Sequence, residues 1–284
     1  MSQSIARINW VDLCVEDFGE RGGPTILLIS GASSSMDWWD AELCARIAAA
    51  GRRVIRYDLR DVGASTSYPP GEPGYSGDDL IDDAVALIRQ LRLAPVHLMG
   101  VSMGAGIATQ VAIRHPELLA SLTLFSASPA GPGDADNGLP GVAPRLAAYF
   151  AAASPVPDWG DPNSVGDHFV AAEIAFSGSI PVDVENVRAI AATVTARTAS
   201  PASADNHMIA AGGGEPRARL SEITARTLVI HGTEDPLFPL AHAQALVREV
   251  SGARLLTIRG MGHQYPPRST WDGIIPALLA HTYA

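Results

Sequence analysis

The stretch VHLMGVSMGAGIATQVAIRH, residues 96–115, decides the fold. It opens with the short apolar run Val96 to Met99, as a fully buried strand does, and closes with a helical pattern from Ala105 to His115. Between them lies Gly100-Val101-Ser102-Met103-Gly104. Glycines two residues either side of a serine leave room for a tight strand-to-helix turn, which pushes the Ser102 hydroxyl clear of the sheet. The pentapeptide alone is weak evidence against an ordinary serine in a turn. The strand before it and the helix after it give it weight.

Working outward, similar apolar runs recur at Thr25 to Ile29, Val54 to Tyr57, Ser121 to Phe125, Thr227 to Ile230 and Arg254 to Ile258. Helical patterns separate them at Asp78 to Arg92, Pro239 to Val250 and Thr270 to Ala280. Such alternation predicts an α/β fold, a mostly parallel sheet with helices on both faces and no wet face on the strands. Ile8 to Trp10 and Leu13 to Glu16 are expected to add an antiparallel edge. From Pro129 to Leu220 the alternation stops, and helical segments follow at Pro144 to Ala153, Gly166 to Phe176, Asp183 to Arg197 and Ala202 to Ala211. We therefore expect a core of residues 1–128 and 221–284 and a helical cap, 129–220, over the carboxyl edge of the sheet. The spaced aromatics Tyr149, Phe150, Trp159, Phe169 and Phe176 favour a packed cap over a flexible linker.

With 284 residues, 47% of them apolar and 18% charged, the chain has material for a packed core, which excludes intrinsic disorder. A net charge of −10 repels phosphate backbones, so no nucleic-acid partner is expected. No apolar run is long enough to span a bilayer and MSQSIARINW lacks a signal-peptide pattern, so no membrane partner and a cytoplasmic location are expected. Cys14 and Cys44 form no Cys-x-x-Cys pair, and no His/Cys cluster has zinc spacing, so neither disulfide nor metal is expected. Composition carries no signal of oligomeric state.

A serine hydroxyl is a weak nucleophile until a base takes its proton, and the base needs an acid to orient it. Of eight histidines, His263 lies in the glycine-flanked loop Arg259-Gly260-Met261-Gly262-His263 after the last strand. The others have blander readings: His97 and His231 in or beside core strands, His115 at a helix end, His242 and His281 on outer helices, and His168 and His207 in the insertion, where either could line a pocket but a surface or packing role is the plainer reading. For the acid, Thr227 to Ile230 runs into Glu234-Asp235-Pro236, whereas the preceding strand ends in Ser126-Ala127-Ser128 without a carboxylate. Asp235 is the choice and Glu234 the runner-up. The amides of Met103 and of Ala32, in the turn Ser30-Gly31-Ala32-Ser33, are the candidate oxyanion donors. Serines 33 to 35 are expected to cap a helix running through Trp38 and Trp39. Tyr57 to Ser65 reads as structural, with Arg60 pairing to a carboxylate beneath the site and Gly63 turning the chain.

The Gly31 turn, DLRDVGAS at 58–65, GVSMG at 100–104, HGTEDPLFP at 231–239 and GMGH at 260–263, in that order, resemble the capped α/β-hydrolases. YDLRDVGAST, GVSMGAGIATQVA and TLVIHGTEDPLFP are most similar to the anthracycline (aclacinomycin-type) methylesterases. The resemblance implies Ser102 as nucleophile, Asp235 and His263 as its partners, and Ala32 and Met103 as the oxyanion hole. It departs at Ser30, where many members carry His, and at Asp61, where many carry Gly.

A serine hydrolase is therefore expected, cleaving an ester of a bulky apolar or aromatic small molecule through an acyl-enzyme without a cofactor. Met36, Trp38, Met103, Phe150, Phe169 and Met208 are expected to line its pocket. Cleavage of a carbon-carbon, lactone or amide bond, or acyl transfer, would use the same triad, and a non-catalytic small-molecule receptor would keep the fold without the chemistry.

Overall fold

The computed structural model describes residues 2–130, 138–152, 155–210 and 217–283. Eight strands, β1 (Ser2–Ile8), β2 (Val11–Phe18), β3 (Thr25–Ile29), β4 (Arg53–Tyr57), β5 (Val96–Val101), β6 (Leu119–Phe125), β7 (Thr227–Gly232) and β8 (Arg254–Ile258), form one sheet. Their order is β1-β2-β4-β3-β5-β6-β7-β8. β1 and β2 are antiparallel, as is β2 against β4; all other neighbours are parallel. This is the mostly parallel α/β sheet with an antiparallel edge expected from the alternation.

Side chains of β3 alternate between two apolar layers. Leu27 and Ile29 join the layer containing Leu80, Ala108 and Leu246, whereas Ile26 and Leu28 join Leu43, Trp271 and Ile274. Helices α2 (Gly77–Gln90), α3 (Met103–Arg114) and α7 (Ala241–Glu249) thus cover one face, and α1 (Ala41–Ala49) and α8 (Trp271–His281) the other.

Three expectations change. Trp10 is no strand residue: Asn9 and Trp10, at φ +47° and +67°, form the two-residue turn of the β1–β2 hairpin, leaving Trp10 92% exposed. β8 ends the sheet, so Arg254 and Thr257 are exposed instead of sharing a dry face. Serines 33 to 35 cap no long helix. Met36–Trp38 is a single 3-10 turn, and α1 begins after Asp40, whose carboxylate accepts the Glu42 N–H at 2.8 Å.

Between β6 and β7 the described residues form α4 (Pro144–Ala151), α5 (Pro162–Phe176), α6 (Val184–Arg197) and the 3-10 helix Pro201–Met208, with no strand among them. Ala153, Ala211 and residues 131–137 of the entry loop lie outside the described residues. Long polar contacts tie this insertion to the core. Arg197 grips Asp58 at 2.7 and 2.8 Å and Asp37 at 2.8 Å, and Asn206 donates to Asp61 at 2.9 Å. Asp61 sits at φ +69°, a conformation Asp tolerates better than most residues, and also accepts the Tyr68 N–H at 2.6 Å. The departure from Gly at this position therefore supplies a side-chain anchor for the insertion. Arg60 pairs with buried Asp83 at 2.7 and 2.9 Å, as expected.

Both cysteines are free and buried. Burial pushes the Cys44 thiol up to about 12. Among the described residues no helix is long and apolar enough to cross a membrane, and no group of three or more potential metal ligands occurs.

Candidate active site

Ser102 occupies the turn from β5 into α3 with φ +52° and ψ −118°, a region a residue with a side chain rarely enters. The turn is held on both sides. The Ser102 N–H donates to Phe125 O at 3.0 Å, and its carbonyl accepts from Ala105 N at 2.9 Å. A Cβ on Gly104 would collide with the carbonyls of Ile29 and Ser30, and one on Gly100 with the Gly104 backbone. The two glycines therefore set how closely α3 approaches the sheet.

Asp235 follows β7, and its two carboxylate oxygens have separate duties. Oδ1 accepts the N–H groups of Leu237 and Phe238 at 2.9 and 2.8 Å, and Oδ2 lies 2.8 Å from His263 Nδ1. Burial works to raise the Asp235 pKa, but electrostatic attraction to His263 and its hydrogen bond, with smaller help from His231 and the Phe238 amide, hold it below the ordinary value. An ionised carboxylate only accepts, so His263 carries its proton on Nδ1 and leaves Nε2 bare. Glu234 turns elsewhere: its carboxylate accepts the N–H and hydroxyl of Ser179 in the insertion at 2.7 and 3.0 Å.

His263 is also fixed from above. Its N–H donates to Phe176 O at 2.8 Å, and its ring lies 5.8 Å from that of Phe176 and 5.3 Å, edge-on, from that of Phe238. Ser102 makes no hydrogen bond to His263 among the described contacts; the turn after β3 lies beside both. A Cβ placed on Gly31 would stand 3.5 Å from Ser102 Cβ, and the Gly31 N–H donates to the hydroxyl of Tyr265, two residues after His263, at 2.8 Å. In that turn the Ala32 N–H has no acceptor among the described residues. Met103 is the first residue of α3, so its N–H has no intrahelical acceptor either.

Trp38 and Phe169 meet at 5.5 Å between ring centroids and line one cleft with Ser33, Gly63, Trp159 and His168. Of the two readings open for His168, surface packing or a pocket wall, the second fits: it lines the cleft. Phe150 is 54% exposed with its ring 5.8 Å from that of Phe176. Met36 has no solvent-accessible surface and packs in the core, so it lines no open pocket; Met208 is 74% exposed. His242 and His281 lie on the outer helices α7 and α8, as expected, and are buried and satisfied there, His242 by Ser128 and Pro140 and His281 by Leu122.

Sequence reasoning passed over Glu173. On α5 it shares a face with Phe169 and Phe176, four residues before and three after, whose rings meet Trp38 and His263. Its carboxyl hydrogen-bonds Gln264 and faces His263, and burial pushes its pKa up to about 7. An acid amid aromatics at helical spacing was the signal that would have found it.

The sequence profile described as alpha/beta hydrolase fold matches residues 24–264. The chain is 30% identical to Rhodomycin D methylesterase DauP of Streptomyces sp. (strain C5), over 96% of each. It is also 30% identical to 2-hydroxymuconate semialdehyde hydrolase of Pseudomonas sp. (strain CF600), over 85% of this chain and 81% of that one. Among solved structures, the esterase EaEST from Exiguobacterium antarcticum superposes over the whole of both chains with a TM-score of 0.78 at 21% identity. The sheet order, the serine turn and the matched span lead to one conclusion: the chain is a member of the α/β-hydrolase fold family.

Proposed function

We propose that the protein is a serine esterase that hydrolyses a carboxylic ester, a methyl ester above all, of a bulky apolar or aromatic small molecule. The observation that carries the reading is the 2.8 Å bond from His263 Nδ1 to Asp235, which leaves Nε2 as a base, within a site whose Gly31 turn adjoins Ser102. Ser102 Oγ attacks the ester carbonyl as His263 Nε2 takes its proton, forming the Oγ–C bond and a tetrahedral oxyanion. The Ala32 and Met103 amides, free of other acceptors, stabilise that oxygen. Collapse breaks the C–O bond to the alcohol, which leaves with the proton from Nε2. Water, deprotonated by the same nitrogen, then attacks the acyl-enzyme, and the acid departs as Ser102 recovers its proton.

The helical insertion, residues 129–220, acts as the cap. Support comes from Phe169 against Trp38 and from Phe176 O accepting the His263 N–H, contacts of α5 with the segments that follow β3 and β8. Aromatic surfaces of Trp38 and Phe169 suit a flat apolar body. The resemblance to a methylesterase across nearly the full length of both chains supports the ester bond.

A fluorophosphonate probe and a panel of aromatic methyl esters, lactones and amides test the reading. Labelling at Ser102 with turnover of the methyl esters is expected, and Ser102→Ala should lose both while keeping its thermal transition. Preferred turnover of a carbon-carbon, lactone or amide substrate would keep the nucleophile and overturn the ester assignment. Ligand binding without labelling would make the chain a receptor.

A further inference from the structure

The turn after β3 is gripped at almost every polar atom. Besides the Tyr265 bond to Gly31, the Ser34 N–H reaches Gly31 O at 3.4 Å and Ser34 Oγ donates to Ala32 O at 3.2 Å. Ser33, at φ +56°, is held entirely from the insertion. Its hydroxyl donates to Ala204 O at 3.1 Å, with Asp205 Oδ1 at 3.3 Å, and its N–H donates to His207 Nδ1 at 2.9 Å.

The second ring nitrogen of His207 fixes its state. Nε2 lies 2.7 Å from Arg60 O, and a carbonyl can only accept, so Nε2 carries the proton. Nδ1, which receives an N–H, must be bare. The buried ring is therefore neutral in one tautomer. The charged groups around it are the Asp61 and Asp205 carboxylates, with Arg60 contributing its backbone carbonyl while its guanidinium pairs with Asp83. Burial opposes charging the ring and outweighs the two carboxylates, so its pKa lies below the ordinary histidine value.

We propose that His207 is a positioning residue for ester hydrolysis: by accepting the Ser33 N–H it holds Ser33 in the left-handed conformation and so aims the neighbouring Ala32 N–H at the acyl oxygen above Ser102. The inference rests on the esterase reading given above. It makes the insertion part of the catalytic geometry as well as of the pocket wall. Protonation of Nδ1 would set a donor against the Ser33 N–H and release the turn, and burial, which lowers the ring's pKa, opposes that protonation.

The test compares wild type, His207→Phe and His207→Asn by kcat and KM on p-nitrophenyl acetate from pH 5 to 8, with fluorophosphonate labelling of Ser102 as control. Phe keeps a ring but accepts nothing; kcat should fall about 10²-fold with KM nearly constant, as for a displaced oxyanion donor. Asn offers an oxygen in place of Nδ1 and cannot be protonated. It should recover most of the kcat. An unimpaired His207→Phe, or an Asn variant as damaged as Phe, would overturn the proposal. Should His207→Phe fail to fold, the Asn variant alone decides. A wild type with neither turnover nor labelling would sink the esterase reading and the proposal with it, whereas an active, labelled wild type beside an unimpaired His207→Phe removes only the role of His207.

Discussion

Replacing Asp235 with Asn changes one atom and should remove almost all activity. The structure fixes how the new amide must lie. Oδ1 accepts two backbone N–H groups, from Leu237 and Phe238, which an NH2 group cannot do. The Asn oxygen must therefore take that place, turning its NH2 toward His263 Nδ1, now 2.8 Å from Oδ2. Facing a donor, Nδ1 must become the bare nitrogen, and the ring proton moves to Nε2, where a base is needed. A histidine held in the wrong tautomer costs about 10⁴-fold in kcat, or roughly 5 kcal/mol of barrier at 1.36 kcal/mol per decade. The assay is kcat for p-nitrophenyl acetate and for an aromatic methyl ester at pH 7 to 8, with circular dichroism to confirm the fold. A loss smaller than about tenfold would refute the reasoning. So would a comparable loss in Glu234→Gln, since that carboxylate is occupied by Ser179.

Two further outcomes follow from buried charge. Glu173 has a folded pKa of about 7, above its ordinary 4.5, so the stability it contributes is complete below 4.5 and is lost as pH rises through 7. Glu173→Gln should therefore match wild type in Tm near pH 4.5 and exceed it at pH 8; a Tm difference independent of pH would show that the carboxyl is solvated. Arg197→Ala would strand the fully buried Asp58 carboxylate and should cost about 3–5 kcal/mol in urea unfolding. Burial already raises the Asp58 pKa and Arg197 restrains it, so losing the guanidinium raises it further and the deficit should grow as pH rises and the carboxyl ionises. A cost below about 1 kcal/mol, the range of a surface pair, would refute the account.

The parts of the site that were legible in the sequence are those made by neighbours in the chain. Gly100 and Gly104 announce a turn because the crowding they relieve is local, and β-branched runs mark the strands because burial on both faces leaves no polar alternation. Asp235 and His263 could be placed because each follows a strand end closely. Residues that act across the fold left no such trace. His207 meets Ser33 across 174 positions and Tyr265 meets Gly31 across 234, and a lone buried histidine or tyrosine looks the same in sequence whatever it touches. Trp10 is illegible in the sequence for a physical reason too: an exposed tryptophan in a left-handed turn goes against both its hydropathy and its backbone preference.

The state of the two thiols bears on how the spacing between the insertion and the sheet could be measured. With Cys14 and Cys44 sealed in the interior and the second held far from its thiolate, neither should react with maleimide or methanethiosulfonate reagents while the protein stays folded. A single cysteine introduced on the outer face of α5 or α6 would then be the one addressable label. Spin probes or fluorophores could report distances between insertion and sheet without first stripping the native sulfhydryls from the core.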